Sequence, residues 1–387
     1  MGDKKSFALY SLILGMCWNY SISDRVVLYI SLLMLISLGL ATNRYYLFKS
    51  KIDYVPLLFS LCWLYGVLLG FLRGNNSESI IANFFGMSLY IIYYSFCSLK
   101  FNIENILSLI KISSIVNCIF FYISVFLYLS DGRIYGVTTG EDLDGQMAGF
   151  RLYWSMGMLI VVGQMCLIFA KYVAGLKIKI SEYILFLLML VSVLGTFSKG
   201  FILQFIASCI VILFFSSGID QLDGKIKFKR LTWLIIVLVL LFTMLYDLGF
   251  IDSFLFSIEY EAGSGSRDEQ RRFIVNEWTF LGEGLGAVLK SGYSRDELGY
   301  GFELNYENLI HKIGVLSILP FSMYIYTIYN LTGLKNNFEI FGLGVGLMSY
   351  LISAYGNPFL FSPLAVILHV VVLYLIRISR IPVRDAL

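Results

Sequence analysis

Charge is what this chain has least of: 14% of its 387 residues are charged, against 58% hydrophobic. So little polar side chain cannot cover a folded surface, and a soluble globule is excluded. The apolar runs also lack the in-out alternation of a barrel strand, so a transmembrane β-barrel is excluded too. In lipid every backbone group must be satisfied internally, which leaves helices, and the sequence predicts an all-α polytopic membrane protein. Paired cysteines are missing as well. Cys17, Cys62, Cys97, Cys118, Cys166 and Cys209 all fall inside apolar runs, never at ligand spacing, so neither a metal site nor a disulfide framework is expected. No internal repeat, low-complexity tract or separate soluble domain is visible, and the longest loop, 251–305, is too small for much of a core of its own. The opening MGDKK precedes an apolar run without a small-residue cleavage site, so the first run is read as a retained span rather than a signal peptide. One membrane domain, 1–387, is the expectation.

What the chain does have is a succession of apolar stretches near the roughly 20 residues that cross a bilayer. They predict about twelve transmembrane helices, at 6–22, 26–41, 54–72, 80–99, 106–129, 152–170, 181–195, 201–217, 232–250, 308–329, 339–355 and 363–378. Basic residues collect in alternate connections, at Arg44, Lys49 and Lys51, at Lys171, Lys177 and Lys179, at Lys225, Lys227, Lys229 and Arg230, and at Arg377, Arg380 and Arg384 in the expected tail. Positive charge is retained in the cytoplasm, so both termini are placed inside. Two outer loops then break the rule: 130–151, with Arg133 and Arg151, and 251–305, with Arg267, Arg271, Arg272, Lys290 and Arg295.

The larger loop contains GSGSRDEQRRF, 263–273. Ser266-x-x-Glu269 is a capping-box pattern, so a short amphipathic helix should start at Arg267 and run to about Leu281 with Ile274, Trp278 and Leu281 on one face. Arg267 and Arg271 then lie one turn apart, and Asp268 can pair with Arg272. The plain alternative is a solvated helix whose ion pairs contribute a few tenths of a kcal/mol each. Gly263 and Gly265 before it and GEGLGA (282–287) after it suggest flexible bounds around amides and arginines that could face an anion. Arginine forks suit phosphate oxygens, and pyrophosphate is the natural ligand for such a cluster at a membrane surface.

Two further stretches carry chemistry. GTFSKG (195–200) is a short outer turn presenting Ser198 and Lys199, with a snorkelling lysine as the bland alternative. In GFELNYENLIHKIG (301–314), Glu303, Glu307 and His311 recur at i, i+4 and i+8. One helical stripe of this kind would supply a general base with an orienting partner, or simply a salt-bridged face. His369, alone in an apolar span, is read as a hydrogen-bonded core histidine rather than a ligand. Outer tyrosines such as Tyr135, Tyr153, Tyr293, Tyr300 and Tyr306 could stack on sugars.

The order TFSKG, a large outer loop with SR and RR, W...LGEGLGA and then N-Y-x-N-L-x-x-K-I-G resembles the O-antigen polymerase (Wzy) family, within the wider polymerase and ligase superfamily. The likeness covers 130–330 in order. It implies a GT-C-like enzyme of a Gram-negative inner membrane that acts on the periplasmic face without a cofactor, metal or nucleotide sugar. Donor and acceptor would be undecaprenyl-pyrophosphate-linked oligosaccharides, with the bilayer, a chain-length regulator and a flippase as partners and no nucleic acid. By resemblance Arg151, Lys199, Arg267, Arg271 and Arg272 hold pyrophosphate, and Arg271 followed by Gly282 fits the family's arginine, ten residues, glycine form. Glu303 stands about where ligase-type members carry a histidine, which favours polymerase over ligase, with Glu307 and His311 as rival bases. A flippase or other transporter of the same lipid-linked unit is the other alternative.

Overall fold

A computed structural model describes residues 36–37, 48–131, 157–196, 198–216, 266–290, 304–355, 360 and 362–380. Among these residues the regular structure is helical throughout. The helices are α1 (Tyr54–Leu72), α2 (Ser77–Ser88), α3 (Ile92–Leu99), α4 (Ile103–Asp131), α5 (Met158–Ala174), α6 (Ile180–Gly195), α7 (Lys199–Ser216), α8 (Ser266–Asn276), α9 (Asn305–Ile313), α10 (Ile318–Thr332), α11 (Phe338–Met348), α12 (Tyr350–Ser353) and α13 (Pro363–Arg380). Five helical stretches, 51–72, 77–99, 103–126, 305–332 and 363–380, are long and apolar enough to cross a membrane, and 158–174, 180–195, 200–216 and 338–353 are shorter apolar helices. The protein is therefore membrane-embedded. Helices stand at every expected span that the described residues cover, while 6–22, 232–250 and nearly all of 26–41 lie outside them.

Helix α5 is the centre of the bundle. Residues 158–170 are buried on every face, the mark of a helix surrounded by protein. It packs most closely on α11, and glycines set the distance: a Cβ on Gly346 would lie 2.9 Å from the Gly163 Cα, and one on Gly342 would lie 2.3 Å from the Ala170 Cβ. Without a hydrophobic drive between helices in lipid, such close backbone approach supplies the attraction.

Contacts sort the helix ends into two groups. At one end Lys171 pairs with Glu182 (2.9 Å) and Glu339 (3.7 Å), Tyr374 donates to the Phe101 carbonyl, and Arg380 donates to Asn330. At the other end Arg73 meets Glu283, Leu360 N–H donates to Asn305, and Arg271 meets Tyr355. The expected threading would make the first group the inner end and the second the outer end.

The first of these ends corrects one expectation. Arg377 is not part of a solvated tail but lies in α13, 4% exposed, with its Nε 2.9 Å from Asp53, which is 1% exposed. Tyr93 donates to the same carboxylate, and Ser50 N–H donates to its other oxygen at 2.9 Å. The helix continues past Arg377 to Arg380, and the Arg377 charge is matched by Asp53 where it is buried. Breaking such a pair leaves an uncompensated buried charge, costing about 3–5 kcal/mol. Arg377→Leu should lower the melting temperature of the purified protein sharply, and Asp53→Leu in the same background should recover much of it.

His369 behaves as read. Its Nδ1 is 2.7 Å from the Tyr90 hydroxyl and its Nε2 is 2.9 Å from the Thr327 hydroxyl, which ties α13 to the 89–91 turn and α10.

Candidate functional site

Helix α8 starts at Ser266 and stops at Asn276, five residues short of the expected end. It stops because the chain turns there: Glu277 N–H still reaches the Phe273 carbonyl, and the Glu277 carboxylate accepts from Lys290 N–H at 2.8 Å, drawing the following segment back. Ile274 is buried with Leu289 and Leu304, with Phe273 packed against them, but Trp278 and Leu281 lie beyond the helix and are exposed. Gln270, fully buried, accepts from Leu304 N–H at 3.0 Å and so fixes α8 to the start of α9.

That docking positions Arg271. Its Nε lies 3.3 Å from the Glu307 carboxylate, its terminal nitrogen donates to the Tyr355 hydroxyl at 2.8 Å, and its guanidinium carbon stands 5.9 Å from the Tyr355 ring centre. The Arg271 side chain is 37% exposed and that of Glu307 is 20% exposed. A pair this open contributes no more than about 1 kcal/mol to stability. Its effect is to hold a guanidinium fork in one orientation with part of its face toward solvent. Arg272, the next residue, is exposed.

Leu304 has ψ +82 and α9 begins at Asn305, so this helix carries Glu307 and His311 of the expected stripe. His311 is 1% exposed, one turn below Glu307. Glu303 and Arg151 lie outside the described residues, as do the side chains of Lys199 and Arg267. The turn that presents Lys199 is as short as expected, from Thr196 to the helix start at Lys199.

The largest departure concerns GEGLGA. Its glycines do not confer flexibility; they let the chain enter the helix layer. The span 305–332 breaks at Gly314 (φ +57, ψ −138) between α9 and a 3-10 turn, Gly314–Ser317. The break frees carbonyls and an amide, and the loop satisfies them: Glu283 N–H donates to the His311 carbonyl (2.9 Å), Gly284 N–H to the Lys312 carbonyl (2.8 Å), and Val315 N–H to the Phe280 carbonyl (2.9 Å). On its other side Leu285 N–H donates to the Gly66 carbonyl, Tyr65 to the Leu281 carbonyl, and the Asn75 amide to the Glu283 and Leu285 carbonyls. Gly66 is six residues before the end of α1, so at 1.5 Å per residue the segment reaches about 9 Å down the helix. Irregular backbone at such depth survives only where protein satisfies it. Lys312, fully buried, adds a bond from its ammonium to the Ala287 carbonyl at 3.2 Å.

Sequence reasoning missed Tyr355, Gln270, Arg73 and Glu283. The alternation of Gly282, Gly284 and Gly286 was the available signal, since positive φ at every second residue is a folded-in strand of loop rather than a hinge. Among the described residues no group of three or more His, Cys, Asp and Glu could hold a metal ion. No protein-family model matches the chain, and no curated protein matches it either.

Proposed function

We propose that the protein is an O-antigen polymerase, a GT-C-like twelve-span enzyme of the inner membrane that joins undecaprenyl-pyrophosphate-linked repeat units on the periplasmic side. The observation that carries the reading is Arg271: a guanidinium oriented by Glu307 and Tyr355, partly open, at one end of a membrane bundle. A transporter would be expected to carry its charges mid-bundle on related halves. Here the open arginine lies at one end.

In the proposed reaction an acceptor sugar hydroxyl attacks the anomeric carbon of the donor glycan. The bond from that carbon to the pyrophosphate oxygen breaks, its electron pair leaves with undecaprenyl pyrophosphate, and the hydroxyl proton passes to a carboxylate and then to water. Arg271, with Arg267, Arg272, Arg151 and Lys199, would stabilise the charge on the leaving group. Distance argues over the base. Direct displacement puts base and leaving group on opposite faces of a sugar, and the paired carboxyls of inverting sugar-cleaving enzymes stand about 6.5–9.5 Å apart. Glu307, 3.3 Å from Arg271, is too close for that and fits better as the residue that positions the arginine. His311 is too buried to meet a hydroxyl. Glu303, just ahead of α9, is left as the base. Glu303→Gln should therefore abolish chain extension, while Glu307→Gln should chiefly raise KM for the lipid-linked donor; the reverse pattern would move the base one turn along.

Deleting the gene tests the function. Lipopolysaccharide capped with a single repeat unit is the polymerase outcome. Bare core would make the protein a ligase, and unchanged long chains would reject both.

A further inference from the structure

A second arginine occupies the outer end without a role in the site above. Arg73 directly follows α1; its side chain is 43% exposed, and its Nε lies 4.0 Å from the Glu283 carboxylate. Among the described residues this is its one ion pair, and its guanidinium donates no hydrogen bond there. Its surroundings are amphipathic. Leu68, Phe71 and Leu72 just before it are 64%, 55% and 84% exposed, and Phe280 and Leu281, held to α1 through Tyr65, are 63% and 52% exposed. In a membrane protein such apolar surface faces lipid, so Arg73 stands where apolar surface gives way to polar, at the depth of lipid phosphates. The Glu283 backbone is fixed beside it, because its N–H and carbonyl are bonded to His311 and Asn75.

The two arginines are built on one rigid unit. Glu307, which orients Arg271, lies on α9 one turn before His311, and the His311 carbonyl holds Glu283, which faces Arg73. Joining two lipid-linked units requires two lipid-borne pyrophosphates at the same face, because the acceptor keeps its own. We propose that Arg73 and Glu283 form a second site for a lipid-borne phosphate group, and that it takes the pyrophosphate of the acceptor unit. The acceptor assignment rests on the polymerase reading; the phosphate chemistry rests on the corner itself. An open guanidinium fork bounded by lipid-facing side chains suits such a group, with the Glu283 carboxylate 4.0 Å away on its Nε side.

The test uses the full-length protein in nanodiscs of zwitterionic phospholipid, titrated with undecaprenyl pyrophosphate and separately with phosphatidic acid. Wild type should bind two equivalents of undecaprenyl pyrophosphate, Arg73→Ala one and Arg271→Ala one, with melting temperatures unchanged. Phosphatidic acid at matched concentration should not displace the Arg73-dependent equivalent; if it does, the corner holds ordinary lipid headgroups and the acceptor assignment is wrong. Equal stoichiometry in wild type and Arg73→Ala would overturn the second site. Should wild type bind no undecaprenyl pyrophosphate while phosphatidic acid binding still falls in Arg73→Ala, the polymerase reading fails and the phosphate corner stands.

Discussion

Arg271→Ala is expected to abolish long chains while leaving the protein folded. The fold should tolerate it because the lost pair is partly exposed, and water can hydrate the Glu307 carboxylate that remains. The stability change should stay within about 1 kcal/mol. Activity should not tolerate it. A preorganised donor aimed at developing charge is worth about 10²- to 10³-fold in rate, and no neighbouring lysine replaces a fork held on two sides by Glu307 and Tyr355. Arg271→Lys should recover only part of the loss, since the ammonium keeps the charge without the bidentate geometry. Chain-length ladders alongside thermal melts check both halves. Wild-type ladders from Arg271→Ala would make the arginine surface charge and nothing more.

Gly284→Ala should remove the folded protein altogether. Gly284 has φ +83, a conformation that side chains resist, and a Cβ there would stand 2.3 Å from the Gly70 amide nitrogen and 2.4 Å from its Cα. Both obstacles are backbone, so no rotamer change relieves them. The segment would have to withdraw, giving up its bonds to Lys312, Gly66 and Asn75 at once. The loss should exceed the roughly 4–5 kcal/mol that marks the exceptional end of single substitutions. Gly74→Ala is the matched control: it shares a positive φ, +74, but a Cβ there meets nothing within 4 Å, so only modest backbone strain is expected. Yields of monodisperse protein from detergent compare the two directly, and equal yields would mean that the segment is not pinned as described.

How much of this was legible follows from what each feature depends on. Hydropathy placed α1, α6 and α13 within a residue or two, because lipid leaves a long apolar run no other structure to adopt. The place of Arg271 at a bundle end, beside helix termini rather than mid-span, was legible from its lying in a hydrophilic stretch between apolar runs. Its partner was half legible: Glu307 was marked as a candidate, but as a base rather than as the carboxylate that meets Arg271. The helix break at Gly314 and the inward path of GEGLGA were not legible. They depend on hydrogen bonds between segments far apart in the chain, Glu283 to His311 and Leu285 to Gly66, and on two glycines, Gly70 and Gly284, meeting face to face. Local periodicity carries no trace of such pairings. Arg377 failed for a related reason, since charge bias counts a basic residue without knowing that Asp53 will meet it.

The central claim is that Arg271 serves chain growth on a lipid-linked glycan, and reconstitution tests it most directly. The purified protein is placed in liposomes with undecaprenyl-pyrophosphate-linked repeat units, and product length and transbilayer movement are followed together. Polymerase action predicts a ladder of lengthening glycans that disappears in Arg271→Ala. Movement of unextended repeat units across the bilayer, with no ladder, would contradict it.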